Sequence, residues 1–116
     1  MNYQLVTFTE NFTMEDLSQK EWREKLAEDA NAMIIDVRSD EELEEGFIPG
    51  AKQMDIRNPN EFMETAHQLD TSKNYYVYCR SGARSSQACA IFNSLGIKNT
   101  YNLEGGFMEW DGEKTK

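Results

Sequence analysis

The sequence predicts an α/β fold: a central, mostly parallel five-stranded sheet with helices on both faces. Three observations carry that expectation. Strand-like and helix-like segments alternate along the chain, as in parallel sheets wound by crossover helices. "AMIIDVR" (32–38) and "NYYVYC" (74–79) are short, nearly continuous apolar runs, the pattern of strands covered on both faces. Helix-starting and helix-stopping residues separate these runs at intervals that suit short βα units.

Taken in order, "YQLVTFT" (3–9) reads as an opening strand. Thr13 can cap a helix through about Ala30, with Leu17, Trp22 and Leu26 near helical spacing on one face. After the strand at 32–38, Ser39 followed by Glu42 forms a capping box for a short helix that Gly46 stops. "AKQMDI" (51–56) is a weaker strand after the turn "IPG". Asn58 then caps a helix with Pro59 in its first position, running to about Leu69. Following "NYYVYC", the segment "ARSSQACAIFNSLG" is the clearest helix, with Ala88, Phe92 and Leu95 on one stripe and Gly96 as its stop. "KNTYNL" (98–103) is the final strand, and "GGFMEW" leads a last short helix before the polar tail "DGEKTK".

Bulk properties narrow the function. A chain of 116 residues, 39% hydrophobic, fits one domain over 1–116 with a single core. Its 28% charged content and short apolar runs predict no membrane association. The first residues lack a basic region followed by an apolar one, so the expected compartment is cytoplasmic. Twelve basic against twenty-one acidic residues give a net charge of −9, which disfavours nucleic acid as a partner. The acidic runs read as solvated helix faces, and the charge is compatible with a monomer. Two cysteines and one histidine form no metal-binding array, so no metal and no cofactor is expected.

The chemistry concentrates in "YCRSGARSS" (78–86). Cys79 ends a buried strand, where loops of parallel sheets bind ligands. Small residues at 81, 82 and 83 leave backbone N–H groups uncovered, and a loop entering a helix N-terminus points such donors at one spot. A sulfur held there, near Arg80 and Arg84, would favour thiolate over thiol. The competing reading, a strand-terminal cysteine packed as a small hydrophobe, leaves the two arginines and the small residues unexplained.

At these residues the chain resembles a single-domain rhodanese-like sulfurtransferase. "IIDVRSDEELEEGFIPGA" is similar to the family's first signature, "VYCRSGARSS" to its active-site loop, and "LEGGFMEW" to its Gly-Gly-x-x-x-Trp element. The resemblance implies a sulfurtransferase in which Cys79 takes a sulfane sulfur from thiosulfate or a related small anionic donor. The resulting persulfide then passes its sulfur to a thiol or cyanide acceptor. It further implies that the amides of Arg80, Ser81, Gly82, Ala83, Arg84 and Ser85 cradle the outer sulfur. Arg80 and Arg84 would attract the donor and help stabilise departing sulfite, while Asp36 and Arg38 would brace the loop; otherwise these two form a surface ion pair. Phe47 stands where the family usually has histidine, a position associated with the turn, so activity is expected to survive it.

Two alternatives remain at this stage: a persulfide carrier that delivers sulfur to a protein partner, and a small phosphatase or arsenate reductase. Related phosphatases use Cys-x5-Arg, whereas four residues separate Cys79 from Arg84 here, a tighter ring suited to one sulfur atom. Cys89 reads as a buried helix residue rather than a resolving thiol, and His67 as an exposed helical residue. Trp22 and Trp110 read as core, and Met54, Met63 and Met108 as core fillers.

Overall fold

The computed structural model describes residues 12–116. Five parallel strands, β1 (Thr13–Leu17), β2 (Ala32–Asp36), β3 (Lys52–Gln53), β4 (Asn74–Tyr78) and β5 (Asn99–Leu103), form one sheet in the order β1-β5-β4-β2-β3. The helices are α1 (Gln19–Ala27), α2 (Asp40–Leu43), α3 (Pro59–His67) and α4 (Ala83–Ser94), followed by a 3-10 turn at Phe107–Glu109.

The first strand differs from expectation. The run at 3–9 lies outside the described residues, and Thr13 opens β1 instead of capping a helix. The cap is Ser18, whose hydroxyl accepts from the Glu21 N–H at 3.2 Å while the Glu21 carboxylate accepts from the Ser18 N–H at 3.3 Å. "TMEDL" conceals its strand character because β1 is an edge strand paired only with β5, and its middle three residues face solvent. α1 also ends three residues before Ala30, and β3 shrinks to two residues at the other edge.

The period-2 alternation of β4 divides the core. Tyr75, Val77 and Cys79 face α3 and α4, packing with Ile35, Val37, Phe62, Ala88, Cys89 and Phe92. Tyr76 and Tyr78 face the opposite layer, where Trp22 of α1 meets Tyr76, Tyr78 and Trp110 edge-on at 5.7, 6.4 and 5.8 Å. Edge-to-face contacts suit the ring quadrupoles, and Trp22 Nε1 donates to the Tyr101 carbonyl at 3.1 Å. Both tryptophans, Met54 and Cys89 are buried, Met63 packs against the core, and His67 is exposed, as read from the sequence. Met108 is not a core filler. It is 61% exposed, because the 3-10 turn directs Phe107 and Trp110 inward and leaves the intervening side chain outside.

Register brings polar residues to the carboxyl ends of the strands. Asp36 lies beside Tyr78, Val77 beside Asn102, and Asn102 beside Asp16. β4 is the middle strand, so the loop leaving it is flanked by β2 on one side and β5 on the other.

Candidate active site

Cys79 follows β4 directly, and Gly82 turns the chain into α4 with a left-handed φ of +114°. α4 has no side-chain N-cap, so its first N–H groups need another acceptor. The Cys79 sulfur supplies it. Gly82 N–H lies 3.1 Å from Sγ and Ser85 Oγ stands at 3.3 Å, and the amides of Ser81 and Ser85 add to the field that favours its ionised form. Cys79 is only 1% exposed, at the end of a buried strand as the sequence implied, with the loop turned around its sulfur. Burial opposes ionisation, but the Ser85 hydroxyl and the amides of Ser85, Gly82 and Ser81 outweigh it, holding the thiol below its ordinary range.

Ser85 Oγ also lies 2.5 Å from Asn102 Oδ1. Its hydroxyl has one proton, so it donates either to the Asn102 amide oxygen or to the sulfur. Asn102 Nδ2 donates to the Gly82 carbonyl at 3.2 Å and to Asp16 Oδ1 at 2.8 Å, tying the loop to β5 and β1. On the other flank, Phe107 N–H donates to the Cys79 carbonyl at 2.8 Å and Met108 N–H to the Arg80 carbonyl at 3.0 Å.

The two loop arginines differ. Arg80 is exposed and makes no ion pair with any described residue. Arg84 was expected to attract an anion, but its guanidinium grips both oxygens of Glu42 at 2.8 Å, which cancels its charge locally. It therefore ties the loop to α2. Glu42 gains in return: Arg84 first, then Ser39, hold its carboxyl down to about 2 from 4.5 against the effect of burial. A depressed carboxyl stabilises the fold above its unfolded value and loses that contribution as pH falls through its folded value. Wild-type stability is therefore expected to drop between pH 4.5 and about 2 by an increment that Glu42→Gln lacks. Denaturant melts at pH 6 and pH 2.5 measure it; equal pH dependence in both proteins would contradict the pairing.

Asp36 and Arg38 form a buried pair rather than a surface one, at 1% and 3% exposure. Arg38 Nη2 donates to Asp36 Oδ2 and to the Gly46 carbonyl, both at 2.8 Å, and its guanidinium lies 4.3 Å from the Phe107 ring centroid. Neither makes a hydrogen bond to the loop among the described residues; Arg38 donates to the carbonyls of Glu42 and Gly46, and Glu42 in turn holds Arg84. Glu42, Asn102 and Asp16 were not singled out from sequence. Only the Ser39–Glu42 capping box hinted that Glu42 has a fixed position. Cys89 is buried in α4, and burial pushes its thiol up to about 12, only partly offset by a hydrogen bond with Thr100. Among the described residues no cluster suited to a metal ion occurs, and no helix is long and apolar enough to cross a membrane.

A parallel sheet whose middle strand delivers a cysteine into a ring of amides defines a class, and sequence comparison agrees with it. The Rhodanese-like domain family matches residues 18–113, and the chain belongs to that family. It is 42% identical over 100 residues to YtwF of Bacillus subtilis (strain 168), covering 86% of this chain and 93% of that protein. It is 30% identical over 95 residues to a sulfurtransferase of Allochromatium vinosum, covering 82% and 86% respectively. Among solved structures, SSP1007 from Staphylococcus saprophyticus superposes with a TM-score of 0.74 at 30% identity, covering 89% of this chain and 100% of that one. The family and these relatives support sulfur transfer as the general activity.

Proposed function

We propose that the chain moves a sulfane sulfur from thiosulfate, or a related anionic donor, to a thiophilic acceptor through a persulfide on Cys79. The observation that carries this reading is the convergence of the Ser81, Gly82 and Ser85 amides and the Ser85 hydroxyl on one sulfur. The Cys79 thiolate attacks the outer sulfur of thiosulfate, an S–S bond forms, and sulfite departs with the electron pair of the bond that breaks. An acceptor then attacks the outer persulfide sulfur, and the second S–S electron pair returns to Cys79. The protein itself is the intermediate, so the kinetics are ping-pong.

The amides of Arg80 through Ser85 hold the sulfur that Cys79 has gained, and exposed Arg80 draws in the anionic donor. Arg84, through Glu42, and the Asp36–Arg38 pair fix the loop's shape. Two free thiols suit a reducing compartment such as the cytoplasm. Phosphate transfer is the weaker reading, because the Arg84 fork that would grip an oxyanion is already occupied by a carboxylate.

Initial rates over a grid of thiosulfate and cyanide concentrations test the proposal. Parallel double-reciprocal lines, with p-nitrophenyl phosphate turned over far more slowly, are expected; intersecting lines or faster phosphatase turnover would overturn it. The Cys79 thiol is also expected to be alkylated by iodoacetamide with a pH midpoint below the ~8.5 of free cysteine, and Ser85→Ala to raise that midpoint. A midpoint unmoved by Ser85→Ala would contradict the role given to the hydroxyl.

A further inference from the structure

Parallel register sets Asp16 of β1 beside Asn102 of β5, one strand away from the cysteine loop. Asn102 is buried, and so is Ser85, whose hydroxyl links its amide to the Cys79 sulfur. Counting donors and acceptors fixes how that amide sits. Asn102 Nδ2 lies 2.8 Å from Asp16 Oδ1 and 3.2 Å from the Gly82 carbonyl. A carboxylate and a carbonyl only accept, so both amide hydrogens are committed there and the amide cannot turn over. Its Oδ1 is thereby aimed at Ser85 Oγ, 2.5 Å away. An amide oxygen has no proton to give, so this short contact needs the Ser85 hydroxyl proton between the two oxygens.

The Ser85 oxygen then turns a lone pair toward Cys79 Sγ at 3.3 Å. An uncharged thiol fits that arrangement, because its S–H donates to Ser85 Oγ. A thiolate does not. It can receive the hydroxyl proton only by taking it from Asn102, which leaves two oxygens facing each other with no hydrogen between them.

We propose that Asp16 and Asn102 are positioning residues that compete with Cys79 for the Ser85 proton and so set the acidity of the nucleophile. In the resting thiol the bonds run from Cys79 to Ser85 to Asn102. On ionisation the thiol proton passes to water, and the hydroxyl turns about its C–O bond to the sulfur at the expense of Asn102. Once Sγ carries a second sulfur, the charge sits on the outer atom and the hydroxyl returns to Asn102. That last step rests on the sulfur-transfer reading above; the competition in the unloaded protein does not.

Other groups about the sulfur are matched or uncharged. Arg84 is paired with Glu42 and Arg38 with Asp36. The flanking α3 contributes apolar Phe62 and Ala66, and burial pushes up both the Cys89 thiol of α4 and the Tyr78 hydroxyl of β4. Arg80 on the loop and Asp16 on β1 are left, neither in an ion pair with a described residue. Asp16 therefore acts on the sulfur both as a charge and through Asn102, and two substitutions separate the effects.

The pH midpoint of Cys79 alkylation by iodoacetamide, measured in the Cys89→Ala background, reads the acidity without turnover. Asn102→Ala is expected to lower the midpoint by roughly 0.7 in pH, the scale of one neutral hydrogen bond. Combined with Ser85→Ala it should move the midpoint no further. Asp16→Ala is expected to lower it more than Asp16→Asn, which sheds the charge yet keeps an oxygen to accept from Asn102. A midpoint unmoved or raised in folded Asn102→Ala, or an equal drop with and without Ser85→Ala, would overturn the assignment. Should Asn102→Ala fail to fold, equal midpoints for the two variants of exposed Asp16 would overturn it instead. The expected midpoints in a protein that takes up no sulfur from thiosulfate would support this assignment while sinking the transfer reading.

Discussion

Cys79→Ser is expected to lower thiosulfate:cyanide sulfur transfer by about a thousandfold or more, the scale on which loss of a covalent nucleophile registers. The same amides would face a hydroxyl oxygen instead of a sulfur. A serine hydroxyl in that ring does not ionise near neutral pH, and its oxygen cannot hold a transferable sulfane sulfur. The substitution changes little volume at a buried position, so a thermal melt should show the variant folded. Cys89→Ala provides the contrast. Its thiol is buried inside α4, and burial pushes it up to about 12, so most activity is expected to persist. Cys79→Ser activity within tenfold of wild type, or a Cys89→Ala loss as deep as that of Cys79→Ser, would exclude the mechanism.

Gly106→Val is expected to destabilise the protein by about 3 kcal/mol and to lower its Tm by ~10 °C or more. Gly106 has φ +58° and ψ −161°, backbone that side chains other than hydrogen strongly disfavour. A Cβ there would strike the Arg80 carbonyl and come within 2.7 Å of the Cys79 carbonyl oxygen. Neither carbonyl can swing aside without losing its hydrogen bond from Met108 or Phe107. The strain therefore falls on the segment that shapes the amide ring, and sulfur transfer should decline even below the melting range. Gly50→Ala is the control, since Gly50 has φ +86° but nothing within 4 Å of a new Cβ. It should cost about 1 kcal/mol and spare the activity. Equal melting temperatures for wild type and Gly106→Val would show that the close approach does not shape the loop.

Sequence reading succeeded where neighbouring residues carry the signal. The runs at 32–38 and 74–79 announced strands because both their faces are covered, and Cys79, Gly82 and the small residues around them announced the loop because they are contiguous. It failed where the signal depends on which strands become neighbours. β1 is an edge strand with exposed polar residues, so "TMEDL" resembled the start of a helix, although the Ser18–Glu21 capping box marked the true start one turn later. Asn102 and Asp16 acquire meaning only from the β1–β5–β4 register, and Glu42 only from the approach of α2 to the loop. Asp36 and Arg38 were visible as a pair, but their burial arises from Phe107 and Tyr78 closing over them. The tail residues looked merely polar; their pairing with Phe47 is a contact across most of the domain's sequence.

Intact-mass spectrometry after brief thiosulfate treatment, followed by peptide mapping without reductant, tests the persulfide directly. One added sulfur atom on the peptide containing Cys79, removed by cyanide, is the expected result. An unchanged mass, or sulfur found on Cys89 instead, would contradict the assignment of the amide ring as the place where sulfur is held.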